Sequence, residues 1–194
     1  MDLTWFRKPS ADQPGTLNLC YNALDRHVIR GGAVRPALVT AARTDDFATL
    51  LEHVGALAGA LRVLGVGPGA RVRTSLDDPA DALLAALACL RLGAVHGDVE
   101  EPTVLVTSRE EDDPAVRVRV LRGVVVADPA RDVDWDLAIK AGRDEPAPCV
   151  DVAPEDPAWV QAGDVVRVRD AVGHGSGLGR ALALLCDGEP VELS

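Results

Sequence analysis

A chain of 194 residues with 47% hydrophobic and 26% charged content is long enough to close one hydrophobic core, and a single domain over 1–194 is the expectation. A net charge of −10 and only 3% aromatic residues exclude a surface built for phosphate backbones, nucleobase stacking or anionic lipid, so neither nucleic acid nor membrane is expected as a partner. The four cysteines lie far apart without CxxC or Cys/His pairing and read as reduced thiols, not as a zinc site; with no apolar run of signal-peptide or membrane-spanning length, a cytoplasmic protein is expected.

From Leu3 to Arg30 no steady period emerges, and residues 1–30 read as an arm anchored by aromatic side chains, wrapped on an α/β core over 31–194. Ala37 to Ala42 is short, apolar and bounded by Pro36, which predicts a buried strand. A helix follows, capped by Asp45 or Asp46, with Phe47, Leu50, Leu51, Val54, Leu57, Ala58, Leu61 and Leu64 at helical spacing and Gly65 as its stop. After a Gly-Pro-Gly turn, a strand is predicted over Arg71 to Leu76. A second helix runs from Pro79, capped by Asp77 or Asp78, to Leu92; its Ala/Leu face predicts burial on most sides.

Strand signals then recur at Ala94 to His96, Thr103 to Thr107, Val116 to Val120 and Val124 to Ala127, the last an uninterrupted apolar run of the kind found in central parallel strands. The acidic run Glu110 to Asp113 reads as a solvated loop. A short helix is predicted over Trp135 to Ala141, then Trp159-Val160, an alternating Val165 to Arg169, a glycine cluster from Gly173 to Gly179, and a helix from Arg180 to Cys186. Strands alternating with helices predict a layered α/β domain with a mostly parallel sheet flanked by helices.

Three segments resemble one family. Trp5-Phe6 with LNLCYNALDRHV (Leu17 to Val28) resembles the N-terminal signature of the AMP-forming acetyl-CoA and propionyl-CoA synthetases. The stretch Asp45 to Val72, joined to ALLAALACLRLGAVH (Ala82 to His96), is similar to the family's first two helices and its LGAVH strand. Asp134 to Val160 looks like the approach to the family's nucleotide loop. The resemblance implies the fold of the N-terminal subdomain of acyl-CoA synthetases.

The resemblance also implies what is missing. Where the family carries a loop close to YTSGTTGKPKG, this chain runs from Asp156-Pro157-Ala158-Trp159-Val160 through Gln161-Ala162-Gly163-Asp164 straight into VVRVRDAVGHGSG (Val165 to Gly177). Such a loop offers amides and hydroxyls to ATP phosphates, which four residues including an Asp do not. The segment after LGAVH that the family associates with CoA is shortened to His96 through Pro102, and the chain ends before the later adenylate motifs and the domain bearing the adenylation lysine. The expectation is a pseudoenzyme with no cofactor and no catalytic residue, acting through a protein partner, either itself or a full-length acyl-CoA synthetase. The alternatives are a subunit of a split ligase and a small-ligand sensor of nucleotide or CoA.

Few residues qualify as site candidates. Gly173, Gly175, Ser176 and Gly177 lie between a strand and a helix, where amides can face an anion; the competing reading is a flexible connector. His96-Gly-Asp98-Val-Glu100-Glu101 reads as a strand-end loop with a partly buried histidine, not as a metal cluster. Arginines alternate with valines at Arg71/Arg73, Arg117/Arg119 and Arg167/Arg169, outward on half-buried strands. If those strands are neighbours, their arginines form a basic strip, and Trp5, Phe6, Arg117, Arg119, Arg167 and Arg169 are the interface candidates.

Overall fold

The computed structural model describes residues 3–111 and 116–193. Ten strands and four α-helices follow one another among the described residues: β1 (Pro36–Val39), β2 (Thr44–Asp46), α1 (Phe47–Val63), β3 (Arg71–Ser75), α2 (Pro79–Arg91), β4 (Val95–Gly97), β5 (Val104–Thr107), β6 (Val118–Leu121), β7 (Asp132–Asp134), α3 (Trp135–Asp144), β8 (Pro157–Gln161), β9 (Asp164–Arg167), α4 (Gly177–Asp187) and β10 (Val191–Glu192). Seven strands form one sheet in the order β7-β6-β5-β3-β4-β8-β9, parallel throughout except for the β8–β9 hairpin. A second, three-stranded sheet has the order β10-β1-β2. This is the layered, mostly parallel α/β architecture expected of strands alternating with helices.

Local chemistry sets the helix ends. Asp46, Asp78, Asp134 and Ser176 each turn a side-chain oxygen onto a free amide at the start of α1, α2, α3 and α4. Helix α2 is buried on nearly every side, as its Ala/Leu composition predicts, and β5 is buried at all four positions. Helices α1 and α3 cross at backbone contact: a Cβ on Gly142 would lie 1.9 Å from the Ala56 carbonyl oxygen, and one on Gly59 would lie 2.3 Å from that of Glu145.

The N-terminal segment is more ordered than an aperiodic arm. Residues 19–32 coil as a helix with two π-helical turns, Tyr21–Asp25 and Val28–Gly32, and this wider winding obscures the 3.6-residue period in the sequence. Two buried asparagines hold it. Asn18 donates from Nδ2 to the carbonyls of Arg91 and Val150 at 3.0 Å each, while Asn22 exchanges hydrogen bonds with the Thr4 backbone. Arg91, at the end of α2, donates to both Asp25 carboxylate oxygens at 2.8 and 3.1 Å and to the Ala147 carbonyl at 2.6 Å. Its Nη1 also lies 3.5 Å from Cys20 Sγ and 3.1 Å from Cys149 Sγ.

One predicted strand is absent. Val124 to Ala127 is irregular, and Val125 is 82% exposed. Strand β6 ends at Leu121, the Arg122 amide donates to the Thr107 carbonyl, and the Arg122 side chain is drawn to Asp81 and Asp136. Gly123 then adopts φ +70, turning the chain off the sheet. The central position is filled by β3, and β5 beside it is the strand buried along its whole length. Of the acidic run, residues 112 and 113 lie outside the described residues.

Two measurements check this packing. In urea melts, Gly142→Ala is expected to lose at least about 2 kcal/mol, because the clash with backbone outweighs any gain in helix propensity. Gly55→Ala, whose Cβ meets only Pro146 Cβ at 3.4 Å, should be neutral or gain up to about 1 kcal/mol. Arg91→Met strands the mostly buried Asp25 carboxylate and should cost about 3–5 kcal/mol, with Asp25→Asn added to it recovering part of the loss.

Candidate functional site: a cleft at the carboxyl ends of the strands

The register of the large sheet brings together side chains far apart in sequence. Val72 of β3 pairs with His96 of β4, which in turn pairs with Trp159 of β8, so His96 and Trp159 stand side by side on one face. Their rings are 6.1 Å apart and tilted by 35°. His174, from the segment before α4, meets Trp159 edge-on at 5.9 Å. Above them opens a cleft of about 770 Å³, walled by the first turns of α2, by α4 and by β10. It sits at the carboxyl ends of β3, β4 and β8, the end of a parallel sheet where ligands are generally held.

The floor is chemically unfinished. His96 is 6% exposed and Trp159 2% exposed. Among the described residues, the buried side-chain nitrogens and oxygens without a hydrogen-bond partner are His96 Nδ1, His96 Nε2 and Trp159 Nε1. Burial pushes the His96 imidazole down to about 4, so it is neutral at physiological pH. The walls are mostly apolar, including Ala82, Leu83, Leu178 and Ala181. Asp98, Glu192 and Arg180 are the charged residues along its lining, and the Arg180 guanidinium donates to the Gly175 carbonyl at 2.6 Å.

The glycine-rich candidates lie beside this cleft. Helix α4 begins at Gly177, three residues earlier than the sequence predicts, so the cluster is half helix and not wholly a connector. Ser176 caps it, its Oγ accepting from the Gly179 amide at 3.0 Å and lying 3.1 Å from His174 Nδ1. The Gly173 amide donates to the Gly179 carbonyl. Gly177 lines the cleft, whereas Gly173, Gly175 and Ser176 do not.

The interface candidates do not assemble. Strands β3, β6 and β9 are not neighbours, so the arginines form no continuous strip. Arg119 grips the buried Asp132 carboxylate at 2.7 and 2.8 Å, and that ion pair holds the Asp132 carboxyl below its ordinary range. Arg167 donates to the Glu155 carbonyl and Arg169 pairs with the Glu155 carboxylate. Arg117 is exposed ahead of β6; Trp5 is 40% exposed, and Phe6 stacks edge-on to Tyr21 at 5.3 Å.

Between β8 and β9, where the resembling family carries its phosphate loop, the chain makes a tight hairpin. Gln161 pairs with Asp164 across a two-residue turn, Ala162-Gly163, with φ of +50 and +86. The Ala162 amide donates to the Asp98 carboxylate at 3.0 Å. Cys20, Asp25 and Cys149 converge within 4.8 Å, yet the Arg91 guanidinium occupies the place a cation would take.

No family model matches the chain. Individual relatives do. Acetyl-coenzyme A synthetase of Streptomyces coelicolor is 38% identical over 104 residues, covering 50% of this chain and 16% of that protein. Mitochondrial acyl-CoA synthetase short-chain family member 3 of Rattus norvegicus is 33% identical over 145 residues, covering 68% and 21%. This chain fits the N-terminal portion of the AMP-forming acetyl- and propionyl-CoA synthetase family. It spans 14 to 28% of the length of the curated relatives it matches. The fold agrees: the coronafacic acid ligase of Pectobacterium brasiliense superposes with a TM-score of 0.76 at 13% identity, over 91% of this chain and 45% of that one. An anthranilate CoA ligase bound to anthranoyl-AMP gives 0.62 at 19% identity, over 77% and 32%.

Sequence alone placed His96 at a strand end but gave no hint that it meets Trp159, since the two are joined only by register. The acyl-CoA synthetase-like fold supplies that link, and pH reports it. Because the folded His96 binds its proton less readily than an unfolded histidine near 6.5, its neutral form favours folding fully above that value, and stability falls as pH drops from 6.5 toward 4. The loss attributable to this residue should be on the order of 2–3 kcal/mol. Urea midpoints across this range should flatten in His96→Phe; an unchanged slope would show that another group carries it.

Proposed function

We propose that this acyl-CoA synthetase-like chain is a catalytically silent binding module, in which the ligase scaffold is kept and the cleft between α2, α4 and the sheet holds a small ligand. The observation that carries the reading is the two-residue turn joining β8 to β9, which stands where the family resemblance leads one to expect the phosphate-holding loop. A turn with one amide already committed to Asp98 offers no cradle for a triphosphate. Acyl adenylation depends on positioning the α-phosphate and stabilising its charge, and the acidic Asp98 and Asp164 at this turn oppose both. The cleft survives this loss, because its floor is built from β4 and β8 themselves.

Two arms test the proposal. Pyrophosphate exchange with acetate, propionate or butyrate should stay at background for the chain alone, and adding the chain to a full-length acetyl-CoA synthetase should leave that enzyme's own exchange rate unchanged. Calorimetric titration or thermal shift with a panel of small acyl compounds, AMP, ATP and CoA should register at least one ligand, with the response lost in a variant that fills the cleft, such as Ala82→Trp. Exchange above background by the chain alone overturns catalytic silence. Exchange that appears only when the chain is joined by a companion protein inactive on its own points to a split ligase.

A further inference from the structure

A cluster of nucleophilic side chains lies away from the cleft, where the N-terminal helix meets the segment before β8. The Sγ atoms of Cys20 and Cys149 and the carboxylate of Asp25 lie within 4.8 Å of one another. A disulfide sets its sulfurs about 2 Å apart, so side-chain rotation can close the remaining gap. The flanking backbones are already tied: Leu17 and Val152 exchange amide-to-carbonyl hydrogen bonds at 2.8 and 3.1 Å, and Asn18 donates to the Val150 carbonyl. Access differs between the two sulfurs. Cys20 is fully buried, whereas Cys149 is partly exposed. Cys149 Sγ donates to Asp25 Oδ2 at 3.6 Å, and Arg91 Nη1 lies 3.1 Å from the same sulfur. The accessible thiol therefore has a proton acceptor on one side and a positive charge on the other, the surroundings a sulfur nucleophile needs. Cys89 and Cys186 lack them, and burial pushes both thiols up to about 12.

We propose that Cys20 and Cys149 form a redox-responsive dithiol that reacts with small-molecule disulfides and closes into a clasp between the N-terminal helix and the segment before β8. The chemistry is two thiol–disulfide exchanges. In the first, the Cys149 sulfur, its proton passed through the Asp25 carboxylate to solvent, attacks one sulfur of the small disulfide, forms a mixed disulfide and expels a thiolate. In the second, the Cys20 sulfur, 3.5 Å from the same Arg91 Nη1, loses its proton, attacks the Cys149 sulfur and expels the other thiolate. The two released protons match the two expelled thiolates, so two protein thiols become one disulfide while the small disulfide becomes two thiols. The hydrogen bond shared with Cys20, and then burial, push the Cys149 thiol up, while Arg91 works in the opposite direction. The first exchange is therefore slow at neutral pH and limited by the fraction of thiolate. This clasp is independent of what the cleft holds.

The test equilibrates the full folded chain in mixtures of reduced and oxidised glutathione, blocks free thiols with N-ethylmaleimide in denaturant after an acid quench, and maps the peptides by mass spectrometry. One disulfide joining Cys20 to Cys149 is expected, reopened by dithiothreitol, with Cys89 and Cys186 recovered as blocked free thiols. Cys20→Ala should stop at a glutathione adduct on Cys149, and Cys149→Ala should take up no glutathione, which fixes the order of attack. Closure should speed up about tenfold per unit between about pH 7 and 8, following the thiolate fraction. In urea melts the oxidised chain should unfold at a higher midpoint than the reduced one, because the bond closes a loop over most of the sequence. Free thiols at Cys20 and Cys149 in oxidised glutathione alone, a bond from Cys20 to Cys186, or closure seen only in denaturant would overturn the dithiol assignment. An oxidised chain no more resistant to urea than the reduced one would overturn the clasp.

Discussion

The architecture turns on one guanidinium. Arg91 sits at the end of a helix buried on nearly every side, and its three guanidinium nitrogens reach Asp25 of the N-terminal helix, the Ala147 carbonyl and the sulfurs of Cys20 and Cys149. Burial works against its charge, and the Asp25 carboxylate with the adjacent sulfurs more than offsets this, holding the side chain well on the charged side. Three chain segments are thereby fixed to each other at one point, and an antiparallel bridge between Leu17 and Val152 adds a second tie between the first and the last of them. Asn18 repeats the link one layer away, donating to the Arg91 and Val150 carbonyls, so the N-terminal helix is stitched to both α2 and the approach to β8. A planar five-donor group suits such a junction, whereas a lysine ammonium offers too few directed donors.

That junction reaches the cleft through the N-terminal helix. Arg26, next to Asp25 in that helix, and Arg35, just beyond it, donate to the Cys186 and Gly188 carbonyls, the free acceptors at the end of α4. The start of α4 is fixed separately by Ser176 and His174, and His174 lies against Trp159. The wall of the cleft is therefore clamped at both ends while its floor is supplied by the sheet. An opening between two well-fixed elements persists without a ligand to prop it, which is what a binding site needs and what a loosely packed gap lacks.

Much of the fold was legible because its signals are local. The caps at Asp46 and Asp78, the stop at Gly65 and the buried Ala/Leu helix follow from residues within a few positions of each other. Val124 to Ala127 misled because an apolar run does not say whether a sheet position is vacant, and here the exit is dictated by Arg122 reaching back to Asp81, forty-one positions away in sequence. The π-helical winding of residues 19–32 hid the N-terminal helix, and the burial of its asparagines makes sense only with their distant carbonyl partners in view. The site was less legible still. The His96–Trp159 pair is created by parallel register between β4 and β8, and the arginine strip failed for the same reason in reverse, because strand order set its members apart.

The unfinished floor is itself informative. A histidine buried without partners destabilises the fold, since its nitrogens forfeit hydrogen bonds to water and gain none, and an aliphatic side chain of similar volume in β4 would avoid that loss. Trp159 carries the same penalty at Nε1, on the register partner of His96. Two such penalties side by side, at the carboxyl end of a parallel sheet, are balanced by the ring packing of His96, Trp159 and His174, whereas the core elsewhere gives the polar side chains of Asn18, Asn22, Arg91 and Asp132 hydrogen-bond partners.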